Sequence, residues 1–421
     1  MLRLLLSLAS MALAADRLAL PMRLPVARSL TTSSSKVDVT NHLATQYIVS
    51  ITIAGKNYDV QVDTGSADLW VACSAVGSSA CMSPCPANGV TIYYGSGDAC
   101  LVPNTGSVSL GGLTLPEGIY GVGMNNNVLT NATSGILGLA YPVLSTFNTT
   151  NNASYLVSHL ESFSMYLTAE PDASGSSLIL NGLDDELVAK NKLVGVTVPL
   201  APNQTSHWNI LIDSFAVDGN ALAPCKNLVN GCIAVVDSGT TFLSMPRFLF
   251  TQFASKYLLP QQCVWQASYY VCPKSVVLPP LSLMLHNTTF TLNSWDYSMV
   301  YSESQILVQL QMTPPGGSSG DRWILGDTFL KVYYTEYLVA EQAVRFYCPS
   351  GICGGGRNIL DFSGKTSHWA LGLFIGGGCL IGLALLALLY YWYKKRRGTT
   401  LRSSQALISL VDASAYSSHV V

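Results

Sequence analysis

Two short segments carry the same set of reactive residues. Val60–Val71 reads VQVDTGSADLWV and Ala234–Met245 reads AVVDSGTTFLSM. In each, an apolar run ends in an aspartate, then a hydroxyl residue, a glycine and a second hydroxyl residue. These are Asp63-Thr64-Gly65-Ser66 and Asp237-Ser238-Gly239-Thr240. Carboxylates exchange protons, and hydroxyls beside them donate the hydrogen bonds that orient their oxygens. Glycine permits a sharp turn and lets another part of the chain come close. The two aspartates lie 174 positions apart, about one domain length.

A second shared element follows each copy, SGILGLAYP at Ser134–Pro142 and RWILGDTF at Arg322–Phe329. Asp63 precedes Gly138 by 75 residues and Asp237 precedes Gly326 by 89. A repeat this long implies two homologous lobes related by a pseudo-twofold axis. Equivalent turns at such an axis bring their carboxyls face to face. Two carboxyls that close do not both ionise readily, so one keeps a proton while the other stays anionic. Such a pair can hold a water, take its proton and protonate a carbonyl under attack. That is acid–base hydrolysis without a covalent intermediate.

The elements around the repeat are short. β-branched and aromatic runs alternate with Gly, Asn and Asp turns, as in QYIVSITIAGKNYDVQV from Gln46. The only helical pattern ahead of residue 369 is a short one at Phe248–Tyr257. The body is therefore expected to be mostly β.

Taken together, the paired DTG and DSG turns and their ILG elements resemble the pepsin-like aspartic proteases (family A1), over about Gln46 to Tyr347. The resemblance implies a mostly β, bilobal fold whose lobes meet at a cleft that takes an extended peptide or protein substrate. It implies Asp63 and Asp237 as the catalytic pair, with Ser66 and Thr240 holding the outer carboxylate oxygens. It implies that Thr64 and Ser238 lock the two loops together, with Gly65 and Gly239 in the turns. Ile92–Gly97 (IYYGSG) matches the flap hairpin, making Tyr94 the flap tyrosine beside Gly95, and Trp70 the residue that bonds it. Gly135, Gly138 and Gly326 match strands that thread beneath the loops, and Asp327 is placed to tune the pair. Cys225–Cys232 matches a family disulfide. No cofactor and no metal are implied, and a monomer is expected. A catalytically idle surface-binding or adhesion protein on the same fold is the alternative, and loss of an aspartate would have favoured it.

The remaining sequence sets the surroundings. Residues 1–14 (MLRLLLSLASMALA) read as a signal peptide and 15–38 as a short leader or prosegment, whose Arg17, Arg23 and Arg28 suit an inhibitory role. The N-terminal lobe is expected over 39–200, the C-terminal lobe over 201–350 and a stalk over 351–368. Residues 369–393 read as a transmembrane helix. Leu371–Tyr393 has no charged residue, and Lys394-Lys395-Arg396-Arg397 follows at once, ahead of a cytoplasmic tail over 394–421. The expectation is a single-pass type I membrane protein with an extracellular or lumenal ectodomain in the secretory or endosomal pathway.

Ten of the 11 cysteines precede the span, and an even number in an exported chain implies disulfides. Proximity suggests Cys225–Cys232, Cys263–Cys272 and Cys348–Cys353, while Cys73, Cys81, Cys85 and Cys100 have three possible pairings. The six histidines are scattered without metal-ligand spacing. Sequons at Asn131, Asn148, Asn152, Asn203 and Asn287 mark surface loops if glycosylated. Charged residues make up only 11% of the chain, which excludes a charged disordered chain or a coiled coil. Between Val37 and Tyr393, 22 acidic residues face 12 basic ones, a balance with no attraction for nucleic acid.

Overall fold

The computed structural model describes residues 34–354, apart from short segments at 78–80, 82–83, 148–150, 205, 223–231, 267 and 314–321. The expected signal peptide, most of the leader, the span at 369–393 and the tail therefore lie outside the described residues. So do Cys225 and Asn148. Among the described residues no helix is long and apolar enough to cross a membrane.

The internal repeat is a repeat of strand topology. In the first half, Lys56–Asp63 runs parallel to Gly135–Gly138, which pairs antiparallel with Leu69–Ala72, itself parallel to Leu113–Asn126. In the second half, Cys232–Val236 runs parallel to Trp323–Leu325, which pairs antiparallel with Leu243–Met245, itself parallel to Leu310–Met312. Each aspartate stands where the first strand of its set ends. These strands lose the period-2 alternation of a half-buried strand: Cys232–Val236 is buried throughout, as is the last half of Lys56–Asp63. A strand covered on both faces reads as a continuous apolar run, the pattern of Cys232–Val236. In the first copy the buried Gln61 interrupts it and accepts a hydrogen bond from Gln46 at 3.1 Å.

The glycines of the ILG elements are required by close approach. A Cβ on Gly135 would stand 2.0 Å from the carbonyl oxygen of Trp70, and one on Gly326 2.3 Å from that of Thr240.

A six-stranded sheet joins the halves, in the order Ser35–Asp38, Ser177–Leu180, Ser162–Tyr166, Tyr334–Leu338, Ala343–Pro349 and Leu193–Pro199. Its central pairing, Phe163 opposite Tyr337, is between strands from the two halves, with the rings stacked at 4.6 Å. Trp208 fills the junction: its ring packs against Tyr141, Phe163 and Tyr337, and Nε1 donates to the Leu139 carbonyl at 3.0 Å. The main core cluster runs through both halves, and a separate one around Trp70, Ile92 and Leu101 lies beneath the hairpin that carries Tyr94.

Ser35–Asp38, the last residues of the expected leader, form one edge strand of this sheet. Val37 packs on the core, and Lys36 pairs with Asp184 at 2.7 Å rather than facing the aspartate pair. Arg17, Arg23 and Arg28 lie outside the described residues. The short helix expected at Phe248–Tyr257 is Arg247–Phe253, continued by a wider turn over Ala254–Leu258.

Disulfides join Cys73–Cys81, Cys85–Cys100, Cys263–Cys272 and Cys348–Cys353. The first two select one of the three open pairings. Cys232 is also disulfide-bonded. Of the sequon residues, Asn131, Asn203 and Asn287 are exposed and Asn152 is half-buried.

Trp208 is fully buried at the junction, so Trp208→Ala is expected to cost about 3–5 kcal/mol in denaturant unfolding, against under about 0.5 kcal/mol for the exposed Val143→Ala.

Candidate active site

Asp63 and Asp237 are buried together, 6% and 5% exposed. Each carboxyl is held by its own loop in the same way. The inner oxygen Oδ1 of Asp63 accepts from the Gly65 N–H at 2.8 Å, and that of Asp237 from the Gly239 N–H at 2.8 Å. The outer oxygen Oδ2 of Asp63 accepts from Ser66 Oγ at 2.5 Å, and that of Asp237 from Thr240 Oγ1 at 2.6 Å. Four contacts are thus related by the pseudo-twofold axis.

Each loop also grips the other. Thr64 Oγ1 donates to the Val236 carbonyl and Ser238 Oγ to the Val62 carbonyl, both at 2.9 Å. In return Thr64 Oγ1 accepts from the Ser238 N–H at 2.9 Å, and Ser238 Oγ from the Thr64 N–H at 3.2 Å. Serine in place of threonine keeps every bond, because only the hydroxyl takes part.

The glycines set the closeness. A Cβ on Gly65 would stand 2.5 Å from Asp237 Oδ1, and one on Gly239 would stand 2.3 Å from Asp63 Oδ1. Both are inside van der Waals contact, so each glycine is the space the opposite carboxyl occupies.

Burial raises the pKa of both carboxyls, and the Asp63 charge raises Asp237 further. Hydrogen bonds from Ser66 and Gly65 act against this at Asp63. Burial and the neighbouring charge together favour a single proton shared by the pair. One acid and one base thus stand side by side.

Val90–Tyr94 and Gly97–Leu110 form a hairpin, closing with Tyr94 opposite Gly97 and with Gly95 and Ser96 at its tip. Trp70 Nε1 donates to the Tyr94 hydroxyl at 2.8 Å. Burial, with the Asp63 charge adding to it, pushes the Tyr94 phenol well up, so the ring is neutral.

Several residues of the site have no motif of their own. Tyr337, from the six-stranded sheet, places its hydroxyl 3.3 Å from Thr64 Oγ1. Asp68 is buried and accepts from Ser145 Oγ, from the Thr146 N–H at 3.0 Å and from Thr146 Oγ1 at 2.8 Å. Its place in the first copy of the repeat, where the second copy has Phe242, is a signal that could have marked it. Asp327 is fully buried and its carboxyl oxygens have no hydrogen-bond partner among the described residues. Burial pushes it well up, Lys331 four residues on opposes this, and the charges of Asp237 and Asp63 add to it. Among the described residues no group of His, Cys, Asp and Glu could hold a metal ion.

Two lobes of repeated topology, with an aspartate from each meeting at the axis, define the bilobal, pepsin-like class of aspartic peptidases. A family model for eukaryotic aspartyl proteases matches residues 46–347, and the chain belongs to that family. Gastricsin of Rattus norvegicus is 28% identical over 319 residues, covering 70% of this chain and 78% of that protein. Gastricsin of Homo sapiens is 29% identical over 322 residues, covering 71% and 79%. Pregnancy-associated glycoprotein 2 of Bos taurus is 31% identical over 337 residues, covering 73% and 84%.

Asp63, Asp68, Asp237 and Asp327 all have folded-state pKa values raised above the ordinary 3.8. The folded protein keeps protons that the unfolded chain releases. This contribution is complete below the unfolded value and is lost as pH rises through the raised ones. The melting temperature is therefore expected to fall from acid to neutral pH, and Asp327→Asn to flatten that fall. A wild-type melting temperature that rises over the same range would contradict the assignment.

Proposed function

We propose that the protein is an acid-range aspartic endopeptidase, anchored as a type I membrane protein with its catalytic body on the extracellular or lumenal side. The observation that carries the catalytic reading is the buried pair itself, each carboxyl held by its own loop and lying where the opposite glycine's side chain would be. A water bound between them would lose a proton to Asp63 as its oxygen attacks the scissile carbonyl carbon. Asp237 would give its proton to the carbonyl oxygen, leaving a neutral tetrahedral diol. Collapse of the diol breaks the C–N bond, with Asp63 passing the proton it took to the departing nitrogen and Asp237 recovering its own from a diol hydroxyl. No charge leaves the pair at any stage, which suits a site this buried.

The grip between Thr64 and Ser238 holds the two carboxyls in register for this exchange. The flap, pinned through Tyr94 to Trp70, would close over an extended peptide and exclude bulk water. Support for the export reading comes from the disulfides, which form in oxidising compartments. The anchor rests on the uncharged Leu371–Tyr393 run and the basic residues after it.

Asp63→Asn and Asp237→Asn are each expected to lower peptide cleavage by about 10²–10⁴-fold or more, read with a peptide library from about pH 3 to 7. Full cleavage by either variant would sink the mechanism. It would leave a binding protein on the same fold, as would failure of a statine-type inhibitor, a mimic of the diol, to bind.

The active form holds one proton. Activity should fall as pH rises through the pair's upper value, which burial and the neighbouring charge raise, and fall again as pH drops through its lower value. The Ser66 hydrogen bond lowers the Asp63 value, so Ser66→Ala is expected to move the acid limb to higher pH. Trp70→Phe removes one hydrogen bond to Tyr94, worth about 1 kcal/mol, and should lower kcat/KM by roughly fivefold with the pH limbs unmoved.

A further inference from the structure

The chain leaves the described body at Gly354, on a surface that carries a run of exposed apolar side chains. Ile352 is 70% exposed within the Cys348–Cys353 loop. The Cys353 carbonyl accepts from the Thr291 N–H at 2.9 Å, and the Gly354 carbonyl from Asn293 Nδ2 at 3.4 Å. Asn293 and Asp296 close a turn on each other, and Trp295 in that turn is 55% exposed. Tyr297, which follows Asp296, donates its hydroxyl to the Pro279 carbonyl. Two residues before that proline is Val277, 78% exposed, tied by both its N–H and its carbonyl to the Gln261 side chain. Leu259, 53% exposed, lies in the same turn as Gln261.

Bonded contacts therefore connect Ile352, Trp295, Val277 and Leu259 around one end of a hairpin. That hairpin is Leu281–Leu285 paired with Thr288–Leu292, and Leu281 opposite Leu292 marks the end in question. The opposite end is the turn at His286 and Asn287, where Asn287 is exposed and heads a sequon. Strands of five residues separate the two ends by about 15 Å. One end of the hairpin is apolar and carries the chain's exit, while the other suits a bulky hydrophilic glycan.

Resting on the anchor reading, we propose that this apolar end docks on the lipid surface and orients the catalytic body on the membrane. The length of chain beyond it favours that occupant. Leu371 opens the uncharged run 17 peptide steps after Gly354. That many steps reach at most about 60 Å fully extended, and a coil of that length averages about 25 Å. A body of some 320 residues is about 50 Å across, so its exit face stays within reach of the bilayer. A tryptophan beside aliphatic residues suits the boundary of headgroups and acyl chains. The body carries more acid than base, so the contact is apolar rather than an attraction to anionic lipid, and salt should not weaken it.

The test uses the full chain in phosphatidylcholine vesicles containing a phosphatidylcholine with a photoactivatable acyl chain. After flotation and photolysis, lipid adducts are mapped by mass spectrometry. Peptides bearing Leu259, Val277, Trp295 and Ile352 should be labelled about tenfold or more above the peptide bearing Asn287, at low and high salt alike. Trp295→Asp combined with Val277→Asp should lower that labelling about tenfold while flotation and peptide cleavage stay unchanged. A chain that floats but is labelled only within 371–393 overturns the docking and leaves the anchor standing. A surface labelled no more than the Asn287 peptide, in a full chain that sediments as a dimer in detergent, overturns it in favour of a dimer. A chain that does not float overturns the anchor reading, and the docking with it.

Discussion

Each carboxyl of the buried pair occupies the space that a side chain would need on the glycine of the opposite loop, and the surrounding architecture follows from that approach. Gly65 and Gly239 bring two acids close enough to share a proton. Close approach of like groups is unfavourable unless something holds the loops, and the four bonds among Thr64, Ser238 and the carbonyls of Val62 and Val236 do so. Those carbonyls belong to the residues just before each aspartate, so the grip acts where the carboxyls are carried. The strands beneath cannot shift to relieve crowding, because Gly135 and Gly326 already sit against backbone carbonyl oxygens. Tyr337 completes the support by carrying a hydroxyl from the joining sheet to Thr64.

Much of this was legible in the sequence because the relevant information is local. Asp, hydroxyl, Gly, hydroxyl is a four-residue signal that needs no knowledge of partners, and its repetition implied the axis. Tyr94 and Trp70 are marked only through the family resemblance, since a tyrosine beside Gly-Ser-Gly is an ordinary turn on local sequence alone. What escaped reading depends on residues that meet only after folding. Tyr337 stands 273 residues from Thr64, and nothing around it marks it out among 21 tyrosines. The pairing of the first four cysteines was open because three connectivities fit one spacing, and the folded chain chooses separations of 8 and 15 residues. The strand at Ser35–Asp38 escapes the sequence because four residues are too few to show a strand period. Its strand character comes from the edge offered by Ser177–Leu180.

The joining sheet connects assembly of the site to assembly of the molecule. Phe163 and Tyr337 stack across its centre, and Trp208 bridges from there to the carbonyl of Leu139 in the first ILG element. Disturbing that packing would move the strands that carry the loops, so core and site are not separable parts. Ser35–Asp38 at one edge of the same sheet is held differently, by four register pairs and the Lys36–Asp184 ion pair at the surface. An exposed ion pair contributes little, so this edge depends mainly on its backbone pairing.

Protonation connects the chemistry to the stability. An aspartate pair that works with one proton needs a raised upper value, and burial supplies it by disfavouring charge. Asp327 has the same cause without hydrogen bonds to offset it, and sits where its charge would be felt by both members of the pair. Were Asp327 to ionise, it would raise the pair's values and cost stability by burying a charge that no hydrogen bond satisfies among the described residues. Lys331 works against that rise in the Asp327 value. Asp184 behaves in the opposite sense, because the hydrogen bond from Lys36 lowers it, and its contribution fades as pH falls through that lowered value. The buried carboxyls favour acid and the surface pair favours neutrality. The buried groups dominate, since three of them feel one another's charges in a site that water does not screen.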